Sequence, residues 1–133
     1  MQHLETILLV EKKIIVVIDD DLDILHSLEL MLSLCGYHTK LFASAEEFLS
    51  AASTLEAASL VIDIQLGDIS GLELVRALYA QGCELPVIFI TGSRDEPHRR
   101  QATELGCAAF FLKPFSPERL IEAVANAIGS KRN

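Results

Sequence analysis

The sequence is poor in cysteine and in positive charge. Its three cysteines, Cys35, Cys83 and Cys107, stand far apart and none belongs to a CxxC pair, which argues against a zinc site and favours a reducing cytoplasm. Only 11 lysines and arginines oppose 19 aspartates and glutamates, which gives a formal charge of -8. Such a surface is not suited to neutralising nucleic-acid phosphates. We therefore expect no direct binding to nucleic acid.

Segments that would place the chain in a membrane or send it across one are also missing. No stretch approaches the roughly 20 apolar residues that cross a bilayer. The short apolar run Ile7-Leu8-Leu9-Val10 has no basic region ahead of it, unlike the start of a secretion signal. With 133 residues, half of them hydrophobic, the sequence predicts one soluble, cytoplasmic domain.

Short apolar runs alternate with longer segments of helical periodicity. The clearest strand is Ile14 to Ile18, and the segment from Asp21 to Cys35 that follows it has leucines spaced for one helix face. These leucines are Leu22, Leu25, Leu28 and Leu32. Further strands are predicted at residues 37–42, 60–64, 86–91 and 109–112. Capping patterns place helix starts at Ser44, Ser70 and Ser116, and a further, polar helix is predicted from Glu96 to Leu105.

This alternation predicts an α/β fold, a doubly wound five-stranded parallel sheet with five helices. We assign residues 1–13 to an N-terminal extension, residues 14–129 to the domain and residues 130–133 to a C-terminal tail. Because the chain ends so soon after the last helix, we expect no attached output domain.

Polar side chains collect at the predicted carboxyl ends of the strands, where open parallel sheets bind their ligands. Asp19 and Asp20 follow the first strand, Asp63 lies in the third, Thr91 ends the fourth and Lys113 follows the fifth. Carboxylates brought together at one edge repel each other and need a cation. Mg2+, which prefers oxygen ligands and shares phosphates, meets that need. Lys113 adds a fixed positive charge and Thr91 a hydroxyl that can bond a phosphoryl oxygen.

Each of these residues also has an ordinary structural interpretation. An Asp run after a strand often only caps the next helix, a role that we assign to Asp21 or Asp23. A single Asp at a strand end, such as Asp63, is about as often a loop cap as a reactive group. The coincidence of five such residues at adjacent strand ends favours a functional site.

With these residues identified, the sequence resembles the response-regulator receiver domains of two-component signalling, also called CheY-like. Four motifs in the same order carry the resemblance: Val16-Val17-Ile18-Asp19-Asp20-Asp21, Val61-Ile62-Asp63-Ile64-Gln65-Leu66 leading to Ser70-Gly71, Ile88-Phe89-Ile90-Thr91-Gly92 and Phe111-Leu112-Lys113-Pro114-Phe115. They span nearly the whole chain. The resemblance implies a flavodoxin-like sheet with strand order 2-1-3-4-5.

The resemblance also implies a role for each site residue. Asp63 matches the phosphoryl acceptor, and Thr91 and Lys113 match the groups that bind the phosphoryl oxygens. The implied Mg2+ ligands are Asp19, Asp20, Asp63 and the backbone carbonyl of Gln65.

Two further roles concern the switch and the lysine's neighbour. Phe110 matches the aromatic switch that turns inward as Thr91 moves, although a core aromatic is the ordinary alternative. Pro114 matches a proline joined to the lysine by a cis bond. One residue departs from the family: Gly67 stands where a proline is usual, which should loosen the loop after Asp63. Gln65 and Ser93 flank the implied acyl phosphate, and we hypothesise that they tune its lifetime.

The resemblance implies a phosphohistidine donor on a sensor histidine kinase or a histidine phosphotransfer protein. A downstream protein or a missing output domain would receive the signal, and the basic residues of the fourth helix, Arg94, His98, Arg99 and Arg100, suggest a surface for a target or for a homodimer formed on phosphorylation. The chain would not be an enzyme beyond its own phosphoryl transfer and dephosphorylation. Two alternatives stay open: a degenerate receiver that binds partners without phosphorylation, and a haloacid-dehalogenase-like phosphatase. Gln65 disfavours the phosphatase, which usually has a second Asp at that position.

Overall fold

The computed structural model describes residues 13–51, 56–92 and 96–130. Its strands are β1 (Ile14–Ile18), β2 (His38–Phe42), β3 (Ser59–Asp63), β4 (Val87–Thr91) and β5 (Ala109–Leu112). Its helices are α1 (Leu22–Leu34), α2 (Ala45–Ala51), α3 (Gly71–Ala80), α4 (Glu96–Glu104) and α5 (Pro117–Ser130). Residues 1–12 of the assigned extension, Ser93 and Arg94 lie outside the described residues.

The five strands form one parallel sheet in the order β2-β1-β3-β4-β5. The predicted fold class and strand order are therefore confirmed. Chain order reverses between β1 and β3, and in doubly wound sheets ligands bind at that point, outside the carboxyl ends of the strands. None of the helices in the described ranges is long and apolar enough to span a bilayer.

Successive residues of the central strands point to opposite faces, so each strand contributes to two cores. Val16, Ile62 and Phe89 pack on the face covered by α2, α3 and α4. Val17, Val61 and Ile88 pack on the other face, against apolar residues of α1 and α5. This two-sided burial explains why these strands are continuous apolar runs without polar alternation.

Helix α1 departs from the prediction at its first residue. Leu25, Leu28 and Leu32 are buried as expected, whereas Leu22 is 59% exposed. Leu22 stands in the first turn of α1, at the edge of the sheet where β1 has already ended at Ile18. A residue on the correct helix face is therefore still exposed, because no strand lies beneath it.

Capping side chains define where the helices begin. Asp21, rather than Asp23, caps α1 and accepts a hydrogen bond from the Asp23 backbone N–H (2.9 Å). Ser70 caps α3 through the N–H of Leu72 (3.1 Å). The capping box predicted at Ser44 is only partly confirmed.

Ser44 Oγ does accept from the Glu47 N–H (3.1 Å). In the reciprocal half, however, Glu47 Oε2 accepts from the N–H of Ala43 (2.8 Å), one residue before the expected donor. The Glu47 side chain therefore satisfies the N–H of Ala43, which lies between β2 and α2.

Candidate functional site

The parallel sheet brings the predicted site residues to one edge. Asp19 directly follows β1, Asp63 is the last residue of β3, and Thr91 is the last residue of β4. Lys113 directly follows β5, and its N–H donates to the Thr91 carbonyl (2.8 Å). Because neighbouring parallel strands end side by side, residues 50 positions apart in the chain come into contact.

Lys113 bridges two buried carboxylates. Its Nζ lies 2.9 Å from Asp19 Oδ2 and 3.1 Å from Asp63 Oδ2. The Asp19 side chain is 0% exposed, that of Asp63 is 4% exposed and that of Lys113 is 19% exposed. Two carboxylates share one ammonium in a place where unpaired charge is strongly unfavourable. The site therefore keeps an excess of negative charge.

Backbone amides fix the orientation of both buried carboxylates. Asp19 Oδ1 accepts from the Asp21 N–H (2.8 Å), and Asp63 Oδ1 accepts from the Gln65 N–H (2.9 Å). Asp19 Oδ2 is buried, and the Lys113 ammonium at 2.9 Å offsets its charge. This oxygen is left with the capacity to bind a cation.

The three acidic side chains are close enough together to hold a metal ion. One carboxylate oxygen each from Asp19, Asp20 and Asp63 lie within 4.8 Å of one another. Oxygens on opposite sides of an Mg2+ ion stand about 4.2 Å apart, since each ligand lies roughly 2.1 Å from the metal, and this separation lies within the 4.8 Å bound. Asp20 is exposed, which leaves the ion room for the waters that Mg2+ usually keeps. The residues present therefore fit a hard divalent cation.

Two glycines shape the loop between β3 and α3. A Cβ atom on Gly71 would clash with the Asp63 carbonyl oxygen and would lie 3.0 Å from Ile62 Cγ2, so only glycine lets α3 start this close to Asp63. Gly67 has a φ of +88°, a backbone conformation that proline, with φ near −65°, cannot adopt. The loop of this chain therefore differs in backbone path from one with proline at the same position.

The pKa of Asp63 is raised from 3.8 to about 6. Burial is the largest cause and the negative charge of Asp19 also raises the pKa, while the Gln65 N–H and Lys113 lower it. For Lys113, burial lowers the pKa, but its contacts with Asp19 and Asp63 outweigh burial and raise the pKa above 10.5. Lys113 thus stays protonated, and the carboxyl of Asp63 is the group whose charge the site disfavours.

The predicted switch aromatic lies on β5 beside α4. Phe110 is half-buried and packs against the core that includes Ala102. The guanidinium carbon of Arg99 lies 5.3 Å from the centre of its ring, a cation–π contact. The bond between Lys113 and Pro114 is cis, as the resemblance implies.

Three features of the site were not found from the sequence. They are the clash that makes Gly71 necessary, the contact of Arg99 with Phe110, and the role of Asp68. Asp68 lies in the loop after Asp63, and its Oδ2 accepts from the Glu46 N–H at the start of α2 (3.0 Å). Gly71, Arg99 and Phe110 were named from the sequence, but their contacts were not predicted.

Comparison with known proteins places this geometry in a family. The family model described as the response regulator receiver domain matches residues 15–125. The chain is 34% identical over 118 residues to the response regulator protein TmoT of Ectopseudomonas mendocina, which covers 89% of this chain and 54% of that protein. It is 39% identical over 113 residues to the transcriptional regulatory protein FixJ of Azorhizobium caulinodans, covering 85% and 54% respectively.

A solved structure agrees with the sequence relatives. The CheY-like receiver domain protein of Methanospirillum hungatei superposes with a TM-score of 0.86 at 26% identity, covering 92% of this chain and 98% of that one. The chain spans about half the length of the curated relatives it matches. Sequence motifs, sheet order and the acidic strand-end site agree with one another, and the chain belongs to the receiver domains of two-component response regulators.

Proposed function

We propose that this receiver domain accepts a phosphoryl group on Asp63 with Mg2+ bound beside it. The single observation that carries the proposal is the Lys113 ammonium, placed 3.1 Å from Asp63 Oδ2 and 2.9 Å from Asp19 Oδ2. It stands where a phosphoryl group on Asp63 would bring its negative oxygens. Asp19, Asp20, Asp63 and the Gln65 carbonyl would hold the metal ion, which when bound supplies the positive charge that the acidic cluster lacks.

The chemistry uses the ionised form of Asp63. A carboxylate oxygen attacks the phosphorus of a phosphohistidine, a P–O bond forms, and the P–N bond breaks with its electron pair passing to the imidazole nitrogen, which takes a proton from water. Gln65 holds Asp63 through its N–H (2.9 Å), so the carboxylate is already oriented before the donor arrives. Lys113 offsets the charge that develops on the phosphoryl oxygens.

The acyl phosphate adds charge and acceptor oxygens at the edge of the sheet. The Thr91 hydroxyl, buried at the end of β4, would move to bond one of these oxygens, and Phe110 on the next strand would turn inward. Phosphorylation of Asp63 would in this way alter the surface that α4 and β5 form. A sensor histidine kinase or histidine phosphotransfer protein would supply the phosphoryl group, and a protein partner or an attached output domain would respond to the new surface.

The decisive experiment is incubation with acetyl phosphate and Mg2+, followed by intact-protein mass spectrometry. We expect an adduct of one phosphoryl group that is lost in Asp63→Asn and retained in the control Asp23→Asn, which neutralises an exposed aspartate of α1. Retention of the adduct in Asp63→Asn would assign the acceptor elsewhere. No adduct in the wild type would favour a receiver that works without phosphorylation, and turnover of many phosphoesters would favour an enzyme. We propose that the chain catalyses only its own phosphorylation and dephosphorylation.

A further inference from the structure

The loop that would contribute the Gln65 carbonyl to the metal site is closed at its base. Gln65 and Ser70 form an isolated antiparallel bridge, and the Gly71 N–H donates to the Ile64 carbonyl (2.8 Å). The chain reverses between them with the help of the positive φ of Gly67. These contacts restrain the two ends of the loop but not its middle, so they do not by themselves fix the orientation of the loop.

The tip of this loop is fastened to another element. Asp68 Oδ2 accepts from the Glu46 N–H (3.0 Å), and Asp68 Oδ1 lies 3.5 Å from the Ala45 nitrogen. These amides belong to the first turn of α2, where backbone N–H groups have no acceptor within the helix. The carboxylate charge also opposes the positive end of the helix dipole. Asp68 therefore caps α2 from 22 residues away.

We propose that Asp68 is a positioning residue for the metal-binding loop. By tethering the loop to α2, it holds the Gln65 backbone in place beside Asp19, Asp20 and Asp63. The tether opposes the loosening expected from Gly67, since a side-chain contact of the next residue restrains the loop. This inference rests on the proposed function, because it assumes that a metal ion binds at the acidic cluster.

A helix cap without any influence on the metal site is the competing explanation. Ser44 offers a matched control, since its Oγ caps the same helix through the Glu47 N–H (3.1 Å) and it lies outside the metal-binding loop. Both Asp68→Ala and Ser44→Ala should weaken α2. Only the loss of Asp68 should release the loop.

The test is calorimetric titration of the intact chain with Mg2+, together with the Mg2+ dependence of phosphorylation by acetyl phosphate. Asp68→Ala should weaken Mg2+ binding by roughly three- to tenfold, at or below the lower end of the effect of removing groups that support metal ligands. The half-saturating Mg2+ concentration should rise by the same factor while the rate at saturating Mg2+ is unchanged. Asp68→Asn, which keeps a side-chain oxygen for the Glu46 N–H, should restore most of the affinity.

Several outcomes would overturn the proposal. If Asp68→Ala binds Mg2+ as the wild type does, or if Ser44→Ala weakens binding equally, Asp68 is only a helix cap. Either result leaves the proposed function standing, provided that the wild type binds Mg2+ and forms the adduct. If the wild type itself takes up no Mg2+, the metal-dependent function and the positioning role fail together, and the two kinds of failure are thereby distinguished.

Discussion

Replacing Asp63 should make the metal-free protein more stable. Asp63 is buried beside Asp19, and its pKa is raised from 3.8 to about 6. Between these two pH values the folded chain binds the Asp63 proton more tightly than the unfolded chain does. This contribution to stability is complete below pH 3.8 and is lost as the pH rises through about 6. At neutral pH the folded state therefore holds an ionised carboxylate that it disfavours.

The magnitude follows from the size of the shift. Raising the pKa of Asp63 from 3.8 to about 6 corresponds to about 3 kcal/mol, since one pH unit is worth about 1.36 kcal/mol. Asp63→Asn removes this charge and keeps an oxygen for the Gln65 N–H, but it loses the ion pair with Lys113. We therefore expect the variant to be more stable than the wild type by about 1–3 kcal/mol at pH 7.5 without metal.

The assay is urea unfolding followed by circular dichroism in EDTA, at pH values from 4 to 8. The difference in free energy of unfolding between Asp63→Asn and the wild type should grow from near zero at about pH 4 to a plateau above about pH 7. Glu29→Gln, which removes an exposed charge on α1, should change stability by less than about 0.5 kcal/mol. A variant that is no more stable than the wild type at pH 7.5 would refute the electrostatic account of the site.

Three further substitutions test the loop and the switch. Gly67→Pro introduces the residue that is usual at this position in the family. It should nevertheless lower the free energy of unfolding, measured in urea, by about 3 kcal/mol or more, because proline cannot adopt a φ of +88°. A gain in stability would contradict the loop geometry. Gly71→Ala should lower the free energy of unfolding by about 1–3 kcal/mol and also slow phosphorylation, since the new Cβ displaces the Asp63 backbone. An unchanged phosphorylation rate would show that α3 can shift without moving Asp63. Arg99→Ala removes a cation–π contact of about 0.5–1 kcal/mol from Phe110 and should speed phosphorylation by acetyl phosphate about two- to fivefold. Arg100→Ala, at the exposed neighbouring residue, should have no effect. Equal rates in both variants would exclude a role for Arg99 in the switch.

The sequence predicted the fold because its strands are unambiguous. Runs such as Ile14 to Ile18 are apolar at every position, which is expected only for strands covered on both faces. Parallel strands end at a common edge, and the resemblance to receiver domains implied the strand order, so the meeting of Asp19, Asp63 and Lys113 could be predicted. No knowledge of side-chain packing was needed for either prediction.

Contacts between elements could not be predicted in the same way. Asp68 caps a helix that begins 23 residues before it, and no local pattern pairs a loop carboxylate with a distant amide. The contact of Arg99 with Phe110 depends on how α4 packs beside β5. Leu22 satisfied the helical periodicity but lies where the sheet has ended, so its exposure depends on the relative lengths of strand and helix.

The ion bridge at Lys113 makes the site depend on the strand at the edge of the sheet. Asp19 follows β1, Asp63 ends β3, and the lysine follows β5, an edge strand of four residues that pairs with β4. If β1 and β3 paired before β5 was added, two buried acids would lie together without their counter-charge. Under the proposed function, the ammonium that would bind the phosphoryl oxygens is therefore in place only when β5 has been added at the edge of the sheet.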